Sequence, residues 1–281
     1  MMKITVDLIK NYQEYLTEEE KSRSTIEKYI RDISAFEKWV GDMELSKIKV
    51  LDYKKELVEK YTPATVNSIL AALNSFFDYN EWYCLKVKSL KLQHALFCQK
   101  DKELSKHEYE RLLKAAKDKR NERLYLIMQT ICSTGIRVSE LKYVTVEAVK
   151  QGQAVVKLKG KIRVVIFTKE LCKVLKRYAE ERGINEGIIF ITRTGKAVDR
   201  YSIWKSMKKL CELAGVNSKK VFPHNLRHLF ARTFYGIQKD IVRLADILGH
   251  SSVNTTRIYT IENGDMHRLQ MHKLGLVRMN V

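Results

Sequence analysis

The sequence holds only two prolines and twelve glycines in 281 residues. That is too few punctuators for a chain of many tight turns, and it favours long helices. No apolar stretch reaches the ~18 residues of a membrane span. The opening "MMKITVDLIKNYQEYL" breaks its apolar run with Asp7, Lys10 and Asn11, so no secretory leader is expected. The five cysteines, Cys84, Cys98, Cys132, Cys172 and Cys211, are odd in number, scattered, and never spaced as CxxC. This argues against a disulfide framework and a zinc site, and for reduced thiols in a cytoplasmic protein. No GxxxxGK[ST] loop is present, so nucleotide hydrolysis is not suggested. No carboxylate pair suits glycosidase chemistry, and no acidic cluster stands ready for two metals. Internal repeats and low-complexity tracts are also absent.

What the chain has in excess is positive charge. Lys and Arg total 52 against 33 for Asp and Glu, a net +19. A surplus of this size raises a positive potential over much of the surface, and its usual partner is nucleic acid, bound through phosphates. An anionic membrane surface is the second choice. Hydrophobic residues make up 45% of the chain, enough for a packed core, and the length suits one large domain or two ordinary ones.

The pattern along the chain predicts two. Residues 1–90 read as a small helical bundle. In "SRSTIEKYIRDISAFEKWV", Ser24 and Glu27 are spaced as a capping box, and Ile26, Tyr29, Ile30, Ile33 and Phe36 share one helical face. In "TPATVNSILAALNSFFDYN", Thr62 is placed to cap a helix with Pro63 at its first position. Residues 91–102 lose periodicity and gain basic residues, as a linker would. Residues 103–281 form the second domain, opened by a capping box of Ser105 and Glu108. Within it, "ERLYLIMQTIC" is apolar nearly all round, a buried helix broken by Gly135. "QAVVKLKGKIRVVIFT" is rich in β-branched residues and predicts a hairpin with Gly160-Lys161 as the turn and Lys159 at the tip. A short strand is expected at "GIIFITRTGKAV", and the remainder is helical.

The candidates for chemistry lie in the second domain. They are Arg137 after a glycine break, Lys159 on the hairpin, His224 and Arg227 one turn apart in "PHNLRHLFA", His250 after Gly249, and Tyr259 nine residues on. This is a set of cations plus one phenol. A phosphodiester in transfer is strongly anionic, and guanidinium forks stabilise it without a metal. A tyrosine can attack phosphorus and form a covalent intermediate, with cations helping to expose a phenolate whose ordinary pKa is about 10. A lysine at a hairpin tip can deliver a proton to the leaving 5′ oxygen. Each residue has a plainer alternative. His224 is a helix-terminal hydrogen bonder, Arg137 a partner for Glu140, and Lys157 and Lys161 rival Lys159. In "PHNLRHLFA", Leu226, Leu229 and Phe230 are expected to anchor the helix, with His224 and Arg227 on its other face and His228 structural.

Taken in order, "STGIRVSEL", "KGKIR", "PHNLRH" and "LGHSSVNTTRIYT" resemble the tyrosine recombinase, or phage integrase, family over nearly the whole chain. The resemblance implies a mainly α fold with a small β-hairpin: a helical SAM-like core-binding domain at 1–90 and an α+β catalytic domain at 103–281. It implies Arg137 and Arg227 as phosphate clamps, Lys159 as general acid, and His224 as acid/base and phosphate ligand. It further implies His250 as transition-state hydrogen bonder, Tyr259 as nucleophile, and Glu140 as a support tying the active-site segments together. "KGKIR" is one residue shorter than the common "KGNKER" turn, which leaves Lys161 as an alternative to Lys159. The plan is that of compact Xer-like recombinases or simple mobile-element integrases, without the arm-binding domain of lambda-type enzymes.

The activity so implied is site-specific recombination of double-stranded DNA through a 3′-phosphotyrosyl intermediate and a Holliday junction, with no metal, ATP or other cofactor. A homotetramer on two sites is expected, with accessory DNA-bending or directionality proteins as further partners and no membrane. The tail "GDMHRLQMHKLGLV" places Met266, Leu269 and Leu276 on one face, to dock on a neighbouring protomer or on its own domain. Two rivals remain. One is a type IB topoisomerase that rejoins the same strand. The other is a non-catalytic DNA-binding regulator, since "IVRLADILGHSSVNTTRIY" reads as helix, glycine turn, helix.

Overall fold

The computed structural model describes residues 2–41, 43–91, 103–158, 161–259 and 272–274. The chain divides into two compact units, Met1–His94 and Ala95–Val281. The stretch expected as a basic linker, 91–102, lies outside the described residues apart from Lys91. So do Lys159, Gly160 and most of the C-terminal tail.

The first unit contains helices α1 (Val6–Glu18), α2 (Arg23–Val40), α3 (Lys47–Lys60) and α4 (Pro63–Tyr79). The box expected of Ser24 and Glu27 does not form. Ser22 caps α2 instead, accepting from the Thr25 N–H at 3.3 Å, and Glu27 pairs back to Arg23 at 2.8 Å. Pro63 does open α4, where its missing N–H removes a donor that would have had no partner. Thr62 precedes it without a side-chain cap bond. Tyr12, Ile33, Phe36, Phe76 and Phe77 are fully buried between the helices. The Tyr12 hydroxyl donates to Ser75 Oγ at 2.7 Å, and burial pushes the phenol up to about 12. After α4 the chain is taped down by two asparagines. Asn74 and Asn67 each make a pair of hydrogen bonds, to the backbone of Val87 and of Leu90 respectively.

The second unit opens with α5 (Lys106–Asp118), whose capping box of Ser105 and Glu108 is fully made. Next comes α6 (Glu122–Thr134), buried on most of its surface. It ends at Gly135, which has a left-handed φ of +64°. A Cβ there would sit 2.5 Å from Phe230 Cδ1. Both the backbone and the packing therefore require glycine. Gly135→Ala should lower unfolding stability by about 1–3 kcal/mol, read as a lower denaturant midpoint. An unchanged midpoint would refute the close approach.

A 3₁₀ turn at Val138–Tyr143 and α7 (Val146–Gln151) lead into β1 (Gln153–Leu158) and β2 (Lys161–Ile166). The strands pair antiparallel from Gln153↔Ile166 to Leu158↔Lys161. Lys161 thus belongs to the ladder rather than to the turn expected at Gly160-Lys161. Alternation sends Ala154, Val156, Arg163 and Val165 inward. It leaves Val155, Ile162, Val164 and Ile166 exposed on the outer face.

After α8 (Lys169–Glu181), the expected strand at "GIIFITRTGKAV" is reduced to two isolated bridges, Thr145↔Ile188 and Ile191↔Ala197. Helices α9 (Arg200–Lys208), α10 (Cys211–Ala214), α11 (Pro223–Gln238), α12 (Ile241–Leu248) and α13 (Val253–Thr256) follow, then a 3₁₀ turn at Arg257–Tyr259. Helix α11 packs along α6. Leu226 and Leu229 are buried in the main core, and half-buried Phe230 joins Leu244 and Leu248. Among the described residues, no helix is long and apolar enough to cross a membrane.

Candidate active site

Pro223 opens α11, where its ring fixes the first turn and so the direction in which His224 and Arg227 leave the helix. The Gly135 break turns the chain back so that Arg137 meets them. Arg137, His224 and Arg227 all line one cavity of 390 Å³, together with Arg200 and Trp204 from the start of α9. A larger hollow of 780 Å³ mixes Glu103, Glu108 and Glu110 with Arg111, Lys114 and Lys220, so its charges largely cancel. The smaller one has three guanidiniums and an imidazole on its wall.

His224 and Arg227 share this cavity but not its exposure. His224 keeps an exposed edge while the rest of its ring is enclosed by the site, whereas Arg227 is 1% exposed, the largest fully buried side chain described. Its Nη1 donates to the Gly135 carbonyl at 2.6 Å. Its Nη2 donates to the Leu248 carbonyl at 2.8 Å and meets His250 Nε2 at 3.0 Å. Burial, then the Arg137 charge, lowers the guanidinium to about 10, so it stays protonated at neutral pH. Nε is buried without a hydrogen-bond partner among the described residues.

The His250 tautomer follows from its neighbours. Arginine can only donate, so Nε2 accepts and Nδ1 carries the proton, donated to Thr256 Oγ1 at 2.8 Å. Tyr259 is 4% exposed. Its ring stacks on His250 with centroids 6.0 Å apart and meets His228 edge-on at 4.7 Å. His228 in turn meets His224 at 4.6 Å. The Tyr259 phenol lies beside the Arg227 guanidinium. Histidines, arginine and phenol thus form one contiguous stack.

Glu140 lies beneath, 1% exposed. Its Oε1 accepts from Arg137 Nη1 at 3.0 Å and its Oε2 from the Arg137 N–H at 2.8 Å. Arg163 Nη2 reaches the same Oε2 at 2.5 Å. Burial alone would raise this carboxyl, but the hydrogen bonds from Arg163 and Arg137 hold it below the usual carboxylate range. Lys159, the expected general acid, lies outside the described residues. Of its rival Lys161 only the pairing with Leu158 is described.

Sequence reasoning missed Arg163, Arg200, Trp204 and Thr256, and undervalued His228. A signal existed for Arg163: strand alternation puts it on the inward face with Val165. Arg200 and Trp204 come from a helix with no motif of its own.

Burial, then neighbouring histidine and arginine charges, pushes His228 down to about 4. Burial and the Arg227, Arg137 and Arg163 charges do the same to His250. Burial and the charges of Arg227, Arg137 and Arg200 also lower His224. The unfolded chain, with histidines near 6.5, therefore binds more protons than the folded one between about pH 6.5 and pH 4. Stability present above that window is lost as pH falls through it. Thermal melts from pH 7 to pH 4.5 should show a falling midpoint, with a shallower fall in His228→Phe. An identical slope in the variant would exclude His228 as a contributor.

The phage integrase family matches residues 102–265, and the phage integrase N-terminal SAM-like domain matches residues 9–82. The chain belongs to the phage integrase family. This tyrosine recombinase family breaks and rejoins DNA in site-specific recombination, and the chain shares its fold and activity. Tyrosine recombinase XerA of Pyrococcus horikoshii is 28% identical over 267 residues, covering 92% of this chain and 90% of that protein. A crystal structure of XerA recombinase covers 97% of this chain and 99% of its own, with a TM-score of 0.53 and 28% identity. A lambda integrase tetramer bound to a Holliday junction is similar in fold, with a TM-score of 0.74 and 17% identity over 92% of this chain and 77% of that one.

Proposed function

We propose that this recombinase cleaves double-stranded DNA with Tyr259 and that Arg137, His224, Arg227 and His250 surround the scissile phosphate. The observation that carries the assignment is the meeting of three cationic or imidazole side chains from two segments in one cavity, with Tyr259 packed against the same Arg227.

In this reading Arg137 and Arg227 neutralise the nonbridging oxygens. His224 sits at the mouth, where it can exchange a proton. His250 holds the Arg227 fork through Nε2; once Nε2 is released from Arg227 and protonated, it donates to a phosphate oxygen in the transition state. The Tyr259 hydroxyl gives its proton to the acid/base His224 as its oxygen attacks phosphorus, the P–O5′ bond breaks, and the 5′ oxygen takes a proton from Lys159. The bond to the 3′ phosphate is kept as a phosphotyrosine. A 5′-hydroxyl of the partner duplex then reverses the step, so phosphodiester energy is conserved and neither ATP nor metal is consumed. We assign residues 1–90 as the core-binding domain and 103–281 as the catalytic domain. Exposed Arg200 and Tyr201, and Lys208 lying 5.6 Å over the Trp204 ring, offer further basic and aromatic contacts to DNA. The lambda integrase tetramer is the template for four copies on two sites. A cytoplasmic location follows from the substrate.

The test is a nicked duplex that traps the covalent intermediate, followed by a two-duplex reaction. A 3′-linked adduct with a free 5′-hydroxyl fragment, and then four-way junctions, support the reading. Adduct and rejoining without junctions would instead make the protein a strand-rejoining topoisomerase, and DNA binding with no adduct a regulator.

A further inference from the structure

Arg163 has no part in the roles assigned above, yet it is built into the site from below. It occupies an inward position of β2, directly opposite buried Val156. Such positions are normally apolar. Here one carries a guanidinium with a side chain 12% exposed. Its Nη2 binds Glu140 Oε2, and its Nη1 donates to the Ile247 carbonyl at 2.7 Å.

Each end of that fork leads to the phosphate site. Glu140 grips Arg137 by both backbone N–H and guanidinium. Ile247 lies in the last turn of α12, whose next carbonyl, Leu248, receives Arg227. The chain then passes through Gly249 to His250. A Cβ at Gly249 would sit 2.3 Å from Arg163 Cδ, so Arg163 lies against the corner that launches His250. The Arg163 Nε is buried without a partner among the described residues. An apolar side chain would fill a core position at less cost than a buried guanidinium with an unpaired donor. What the guanidinium supplies is placement.

We propose that Arg163 is a positioning residue. By joining Glu140 to the Ile247 carbonyl it sets the spacing between the Arg137 guanidinium and the α12–His250 corner that together receive the phosphate. The inference rests on the assignment of Arg137 as a phosphate clamp.

The test is single-turnover cleavage of the trap duplex with two scissile groups: the ordinary phosphodiester, and a methylphosphonate in which a methyl replaces one nonbridging oxygen. The methylphosphonate is uncharged, so a misplaced guanidinium matters less to it. Arg163→Ala should cleave the phosphodiester about 10- to 100-fold more slowly than the parent, the scale of a small misplacement, with DNA affinity unchanged. Most of that deficit should vanish on the methylphosphonate, as it should for Arg137→Ala. Arg163→Lys keeps the charge without the fork and should fall between. If Arg163→Ala does not fold, Arg163→Lys and Arg163→Gln decide by the same comparison.

Equal deficits on both substrates, or a loss confined to DNA affinity, would overturn the proposal. The clamp assignment fails separately, if Arg137→Ala itself shows equal deficits on both substrates. A responsive Arg137→Ala with unresponsive Arg163 variants removes only the role of Arg163.

Discussion

Tyr259→Phe should abolish the covalent adduct, with a loss on the order of 10⁴- to 10⁶-fold, the scale seen when a catalytic nucleophile is deleted. The change removes one oxygen and keeps the ring. Phenylalanine can still pack between His228 and His250, so the fold should lose about 1 kcal/mol or less. DNA binding should be unchanged, because the phosphate ligands are other residues. The assays are adduct formation on the trap duplex and a gel-shift titration on an intact one. Persisting adduct would mean that another tyrosine is the nucleophile. Lost binding would mean that Tyr259 holds the site open rather than attacking from it.

Arg227→Ala should be costly in both rate and stability. The guanidinium satisfies two backbone carbonyls, Gly135 and Leu248, and one ring nitrogen. Removing it leaves buried acceptors unpaired at about 1–3 kcal/mol each. It also removes the charge we assign to the phosphate, worth about 10²- to 10³-fold by analogy with a lost oxyanion donor. Arg227→Lys restores charge but cannot bridge the two carbonyls at once, so it should recover less than half of the lost stability. Denaturant melts and single-turnover cleavage measure the two losses separately. A variant as stable as the parent would contradict the buried network, and one that cleaves at the parental rate would remove Arg227 from the clamp.

Much of this arrangement was legible from residue types and spacing. Periodicity in "TVNSILAALNSFF" is read directly because a helix that buries one face has little freedom in where its apolar residues fall. Pro223 and Gly135 were legible for the same reason, as backbone constraints that few other residues satisfy. A candidate set could be proposed because phosphate chemistry without metal narrows the choice to cations and a nucleophile.

What stayed hidden depends on distance through space. Nothing near Arg227 in sequence says that its fork will be closed by carbonyls 92 and 21 residues away. The shift of the α2 cap from Ser24 to Ser22 reflects two serines of equal chemistry, where only packing selects the start. The faint strand at "GIIFITRTGKAV" failed to form a ladder because each half found a single partner residue rather than a neighbouring strand.

The outer face of the hairpin bears on handling. Val155, Ile162, Val164 and Ile166 stand between 46% and 72% exposed. In dilute buffer the net +19 keeps copies apart by mutual repulsion. The concentrated salt used to strip nucleic acid from such a protein would screen that repulsion, with a Debye length of about 3 Å at 1 M. Sulfate would also strengthen apolar association. Precipitation during purification is therefore expected at high sulfate rather than at low ionic strength. Chloride would be the gentler eluent, and a lysine in place of Val164 the simplest remedy.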